Sequence, residues 1–227
     1  HLETVSTISF FSFFTVLTMS CYSVGKSLLS REKSVSLDVG TPLAMGAAVG
    51  GLLGNQLFAL AQELSDTPER VGAAQSVCLA VVTLGTLLYT LNKSRISTRQ
   101  VRNKGACVAI GLALGCMSSF LGIGGGPINL VVLFYFFSMD TKTAAENSLY
   151  IIFFSQATSL IASAVTKSIP SFPVLMLVFM VLCGIGGGML GRSVNKKLPA
   201  KHVDRLFIGL MVVIMLICIY NVCNYTG

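Results

Sequence analysis

Residues 105–139 carry no charged side chain, and inside that run stands Gly122-Ile123-Gly124-Gly125-Gly126-Pro127. An unbroken helix of that length would be about 50 Å long, against a hydrocarbon core of roughly 30 Å. One straight span is therefore excluded. Backbone freed at membrane depth is tolerated only where it is buried in protein or lines a cavity, so the glycine break is a candidate site on physical grounds. Pro127 suits a first helical position because its missing N–H needs no partner there, and the free N–H groups around it carry the positive end of a helix dipole. Such an end attracts anions.

Composition gives the setting. Hydrophobic residues make up 53% of the 227 residues and charged ones 11%, far from a soluble domain of this length. Apolar stretches of spanning length lie at residues 5–24, 39–61, 71–91, 105–121, 144–165, 172–190 and 203–223, with 127–137 as a shorter eighth piece. Period-two alternation is absent and the runs exceed what barrel strands need, so all of them read as helix. The expected fold is all-α, a polytopic membrane bundle.

The net charge of +7 does not point to nucleic acid, because the basic residues sit at segment ends, where membrane topology places them. The seven cysteines lie in or beside apolar segments with no CxxC pair, and read as small hydrophobes instead of a disulfide or zinc framework. No cofactor is implied. The chain opens with His1 and its first apolar stretch lacks the form of a signal peptide, which gives the expectation of a fragment missing its N-terminus.

An internal repeat runs through the sequence. Glu3 to Ser12 lies on Glu146 to Ser155, Gly50-Gly51-Leu52-Leu53-Gly54 on Gly187-Gly188-Met189-Leu190-Gly191, and Pro68 and Tyr89 share one offset with Pro199 and Tyr220. The expected division is 1–92 as the three-helix remainder of a first repeat, 93–104 as a basic linker and 105–227 as a complete second repeat. Its leading element is a hairpin over 105–138.

Charge placement favours the hairpin over a single crossing. If 105–137 crosses once, the sixteen Lys and Arg residues divide almost evenly between the two sides. If it enters and returns, only Arg70 and Lys167 lie opposite all the others, and the basic side is cytoplasmic by the positive-inside rule. A hairpin plus three spans also inverts the second half. Equivalent loops then carry opposite charge, as Glu63, Asp66 and Glu69 do against Arg192, Lys196, Lys197 and Lys201.

Several residue groups could carry function. Gly122, Gly124, Gly125, Gly126 and Pro127 exceed what helix packing needs, and Asn129 could aim an amide donor at the same place. The pairs Gly184 with Gly188 and Gly187 with Gly191, echoed by Gly46, Gly50 and Gly54, read as close-packing GxxxG pairs and not as a dinucleotide motif, which needs a strand before it. Ser148, Ser155, Ser159 and Ser163 share one helical face with Asn147 and Gln156 beside it, either as an interhelical seam or as a polar wall. Ser6, Ser9, Ser12 and Thr15 form the matching seam. No ionisable residue falls at mid-membrane, and Glu146 sits at a segment end. That argues against an intramembrane enzyme and leaves proton coupling without an evident relay.

The run Leu121-Gly122-Ile123-Gly124-Gly125-Gly126-Pro127, followed by Asp140-Thr141-Lys142-Thr143-Ala144-Ala145-Glu146-Asn147-Ser148, resembles the TauE/SafE sulfite exporter family. So do Gly186-Gly187-Gly188-Met189-Leu190-Gly191-Arg192, Leu198-Pro199 and Arg205-Leu206-Phe207. The resemblance covers nearly the whole chain and implies a membrane permease that exports sulfite, sulfonates and related small organic anions. Asn147-Ser148 stands where many members have Thr-Ser, and the family's first-half glycine hairpin has no counterpart here.

The sequence therefore points to a plasma-membrane permease of two inverted halves, with a small anion as substrate, the lipid bilayer as surroundings and homo-oligomerisation open. Gly122 to Pro127, Asn129, Asn147, Ser148, Ser155 and Gln156 are its expected substrate-binding residues. The alternative is a scaffold protein whose glycines serve helix packing only.

Overall fold

The computed structural model describes residues 2–29, 37–63, 68–121, 125–165 and 174–226. These form eight α-helices and one short 3-10 turn, with no strand among the described residues. In chain order the helices are α1 (Leu2–Leu29), α2 (Leu37–Glu63), α3 (Pro68–Asn92), α4 (Lys104–Leu121), α5 (Gly126–Phe137), α6 (Thr141–Val165), α7 (Val174–Lys197) and α8 (Ala200–Thr226). All-α architecture is as the sequence implies.

Local chemistry sets several helix ends. The Asn103 side-chain oxygen accepts the Gly105 N–H at 2.9 Å at the start of α4, and Asp140 accepts the Lys142 N–H at 3.3 Å at the start of α6. Between these helices α5 closes on Ser138 in the left-handed region, where the Met139 N–H reaches back to the Leu133 carbonyl. The largest departure from the apolar pattern is α7, which runs on to Lys197 where hydropathy ends at Leu190. Charge marks the edge of an apolar window, not the end of a helix.

α6 occupies the centre, packed against α1, α2 and α5, while α7 pairs with α1 and α3 with α8. Exchanging α1 with α6, α2 with α7 and α3 with α8 carries the pairs α1–α6, α2–α6, α1–α7 and α3–α8 onto themselves, while α5 has no counterpart in the exchange. The perimeter helices expose large apolar side chains, such as Leu175, Phe179 and Leu182 on α7 and Leu206, Leu216 and Tyr220 on α8. Among the described residues, five helices, α2, α3, α4, α7 and α8, contain a stretch long and apolar enough to cross a membrane.

α2 and α4 make the tightest contact. A Cβ on Gly46 or Gly50 would fall inside the radius of the Val108 or Leu112 carbonyl oxygen, and one on Gly111 or Gly115 inside that of Leu43 or Ala47. Two backbones so close exclude any side chain at the crossing.

Contacts near helix ends fix the directions. Ser27 on α1 hydrogen-bonds Glu146 on α6 at 2.8 Å, and Lys93 after α3 meets Asp204 on α8, whose other oxygen accepts from Thr141 at 2.6 Å. The Arg99 and Val101 N–H groups, just before α4, bond the Tyr135 and Phe136 carbonyls at 2.7 and 2.9 Å. α4 therefore begins at the same end of the bundle at which α5 finishes. Lys26, Lys93, Arg99, Lys104, Lys142, Arg192 and Lys201 belong to this end.

Candidate functional site

Gly125 turns the chain from α4 into α5. It is the N-cap residue of α5 at φ 85° and ψ −7°, a left-handed conformation that glycine adopts without a Cβ penalty. Gly126 and Pro127 open the helix, with the proline in its first turn. Because Pro127 has no N–H and the Asn129 N–H bonds the Gly125 carbonyl at 2.9 Å, the unused donors of the first turn reduce to Gly126 and Ile128. Gly122 and Gly124 lie outside the described residues.

Space around this turn is scarce. A Cβ on Gly125 would stand 2.6 Å from Ser118 Oγ and 3.1 Å from Asn129 Nδ2, so the α4 hydroxyl and the α5 amide both lean on the glycine. Asn129 is 2% exposed, and its Oδ1 has no hydrogen-bond partner among the described residues. Burying an unpaired amide costs roughly 1–3 kcal/mol on protein scales, so a structural role alone would select against it. Asn129, Ser118 and Ser155 border a cavity of about 10 Å³, at the lower edge of what holds one water.

The polar surroundings extend along α2 and α6. A Cβ on Gly51 would meet Ser155 Oγ at 2.8 Å and Ser119 Oγ at 3.3 Å, and Asn55 Nδ2 donates to Ser159 Oγ at 3.4 Å. Gln156 is buried, and its Oε1 has no partner among the described residues. Counted along their helices from the basic end, Gly51, Ser118 and Ser155 all lie about 21 Å deep. Four helices thus bring neutral donors and acceptors to one level near the middle of the bundle.

Of the residues expected to bind substrate, Gly125, Asn129 and Ser155 meet here, with Gly126 and Pro127 beside them and Gln156 one residue along α6. Asn147 and Ser148 do not join them. Both are buried, but they stand about two turns nearer the basic end, where Asn147 Nδ2 donates to the Thr143 carbonyl at 2.8 Å and its Oδ1 faces Gly40. Within the serine seam Ser148, Ser155 and Ser159 are buried, and the Ser163 side chain lies outside the described set. On the matching seam the Ser6 and Ser9 side chains lie outside the described set, Ser12 is exposed, and Thr15 Oγ1 is buried with no partner among the described residues.

Sequence reasoning passed over Ser118, Ser119, Gly51 and Asn55. The signal for the first two was present, since they are a hydroxyl pair in an otherwise apolar span one turn before the glycines. The GxxxG reading holds for Gly46, Gly50 and Gly54 against α4, and for Gly184 and Gly188 against Thr15 and Met19 of α1. It fails for Gly187 and Gly191. A Cβ on either would meet nothing within 4 Å, because that side of α7 borders open space.

The family model described as "Sulfite exporter TauE/SafE" matches residues 4–217. Among curated proteins, the chain is 28% identical over 96 residues to the probable membrane transporter protein YunE of Bacillus subtilis (strain 168). That alignment takes in 42% of this chain and 34% of the relative, so the match spans about a third of the relative's length. No solved structure matches. Coverage of most of the chain by one family model establishes membership: the chain belongs to the TauE/SafE sulfite exporter family. With its five long apolar helices it is a multi-pass membrane protein.

Proposed function

We propose that this TauE/SafE family member is a permease that moves small anions across the plasma membrane, with sulfite, sulfonates or related sulfur-containing anions as substrates. In this reading the anion rests near the midplane at the Gly125 turn, held by the first N–H groups of α5 and by the amide of Asn129. Ser118, Ser155 and Gln156 line its route. Neutral donors without a fixed cation bind weakly enough for release, which a transporter requires.

One observation carries this reading most directly: the Asn129 side chain is buried beside a helix N-terminus with its oxygen unpaired, at the level of three serines. Two further observations support the wider arrangement. The bonds from Arg99 and Val101 to the end of α5 agree with a segment, 105–138, that enters and leaves the bilayer on one side. The exchangeable helix pairs agree with two inverted halves, 1–92 and 105–227, joined by a basic linker. We place the basic end in the cytoplasm by the positive-inside rule.

The tight α2–α4 crossing favours a second reading, a scaffold protein whose glycines serve packing only. Packing accounts for Gly46, Gly50 and Gly54. It leaves the unpaired Asn129 amide without a purpose.

Reconstitution in liposomes tests the proposal. Wild-type protein should pass sulfite or a small sulfonate, and Gly125→Leu should abolish that flux while the helical signal and monodispersity remain. Unchanged flux in a folded Gly125→Leu protein refutes the site. Absence of anion-dependent flux or stabilisation in the wild type favours the scaffold.

A further inference from the structure

We propose that a second cavity, at the basic end between α1, α6, α7 and α8, binds an amphipathic monoanion, with its oxyanion head at Arg192 and its apolar body against α6 and α8. The cavity has a volume of about 350 Å³, within the range of ligand pockets and far larger than the space at Gly125. This inference is independent of the midplane reading.

The polar end contains a cation with unspent capacity. Arg192 Nη1 donates to the Ser23 carbonyl at 2.7 Å, while its Nε is buried with no partner among the described residues. Asn195 Oδ1, one turn on, is likewise unpartnered. Among the described residues Asp204 is paired with Lys93, and no carboxylate is in an ion pair with Arg192. A guanidinium lodged in a largely apolar wall gains most from a ligand that supplies the missing acceptors, and its planar fork fits an oxyanion in two-point contact.

Glu146 limits the ligand's charge. It lines the same cavity, where Ser27 Oγ donates to it at 2.8 Å. One cation and one carboxylate share the space, so a single negative charge can be accommodated at Arg192 whereas a dianion would meet the carboxylate as well. Away from these groups the lining is Met19, Leu149, Val203 and Leu206, which cannot solvate a bare inorganic ion but can cover an alkyl chain.

The void follows from the backbone. Gly187 and Gly191 form part of its wall, and the space beside each is open. Their repeat equivalents on α2, Gly50 and Gly54, lie flat under α4. The same glycine spacing therefore seals one helix against its neighbour and leaves the other beside a pocket.

An alkyl oxyanion in solution and an anionic phospholipid present the same chemistry, so the test has two arms. In phospholipid-free detergent, calorimetric titration with hexanesulfonate should show binding that weakens at least tenfold in Arg192→Gln and in Gly191→Leu. The second variant fills open space and leaves the fold undisturbed, which keeps the test decisive if Arg192→Gln misfolds. Gly186→Ala, which meets open space and does not line the cavity, should bind hexanesulfonate like the wild type, and a loss there equal to that in the cavity variants would overturn this proposal. Sulfite binding that is as tight as that of hexanesulfonate and is lost with it in Arg192→Gln and Gly191→Leu, or equal hexanesulfonate binding by wild type, Arg192→Gln and Gly191→Leu, would also overturn it. In nanodiscs, mass spectrometry should show whether phosphatidylglycerol is retained in preference to phosphatidylcholine in an Arg192-dependent way. Retention assigns the site to a lipid headgroup, and hexanesulfonate binding without retention assigns it to a soluble anion.

Discussion

Ser118 Oγ occupies the place that a side chain at Gly125 would need, 2.6 Å from where its Cβ would stand. The two residues belong to different legs of one turn, so the hydroxyl of α4 fixes how closely α5 can start. Because Gly125 also holds a positive φ, two separate costs fall on any substitution there.

Those costs can be told apart. Gly125→Ala should lose about 1–2 kcal/mol from the left-handed backbone and a further ~1–3 kcal/mol from the clash. Adding Ser118→Ala should recover most of the second part and none of the first. Thermal or denaturant unfolding in detergent of the two single variants and the double variant checks this; full additivity would mean that the hydroxyl does not press on the glycine.

Asn129→Leu removes a buried amide whose oxygen has no partner and keeps a similar volume. Stability should stay level or rise by about 1 kcal/mol, since an unpaired polar group leaves the interior. Anion flux should fall at least tenfold. A large loss of stability would show that the amide supports the fold, and with it the reading of Asn129 as a substrate contact would lose its ground.

The glycines of α2 and α7 should respond in opposite senses. Gly50→Ala places a methyl against the Leu112 carbonyl and should cost roughly 1–3 kcal/mol, because backbone cannot yield as a side chain does. Gly186→Ala meets open space and should be neutral or stabilising by up to about 1 kcal/mol through helix propensity. Unfolding midpoints measured under one set of conditions compare them directly.

Lys93 and Asp204 join the end of α3 to the start of α8, and Thr141 of α6 donates to the same carboxylate. Their side chains are 28% and 19% exposed, between the surface and buried cases. A double-mutant cycle on Lys93→Met and Asp204→Asn should give a coupling of about 1–2 kcal/mol, above the ~0.2–1 kcal/mol of exposed pairs. Weak dependence on salt should accompany it, because the pair is partly shielded.

Much of this protein is local and was legible in the chain. Runs of apolar residues dictate helices, four glycines and a proline dictate a break between 121 and 127, and basic residues gather at segment ends whatever their neighbours do. The family motif lies in those same local stretches. What the sequence could not decide was opposition: helical period fixes which residues share a face, but not which helix lies across from it. So Asn147 and Ser148, equal candidates with Ser155 by spacing, stand two turns from the turn at Gly125, while Ser118 and Gly51 come to it from other helices. Gly184 and Gly187 belong to the same kind of pattern, yet one packs on α1 and the other borders a cavity beside Arg192. Only the packing of eight helices against one another distributes those roles, because contact and void depend on the partner surface as much as on the residue.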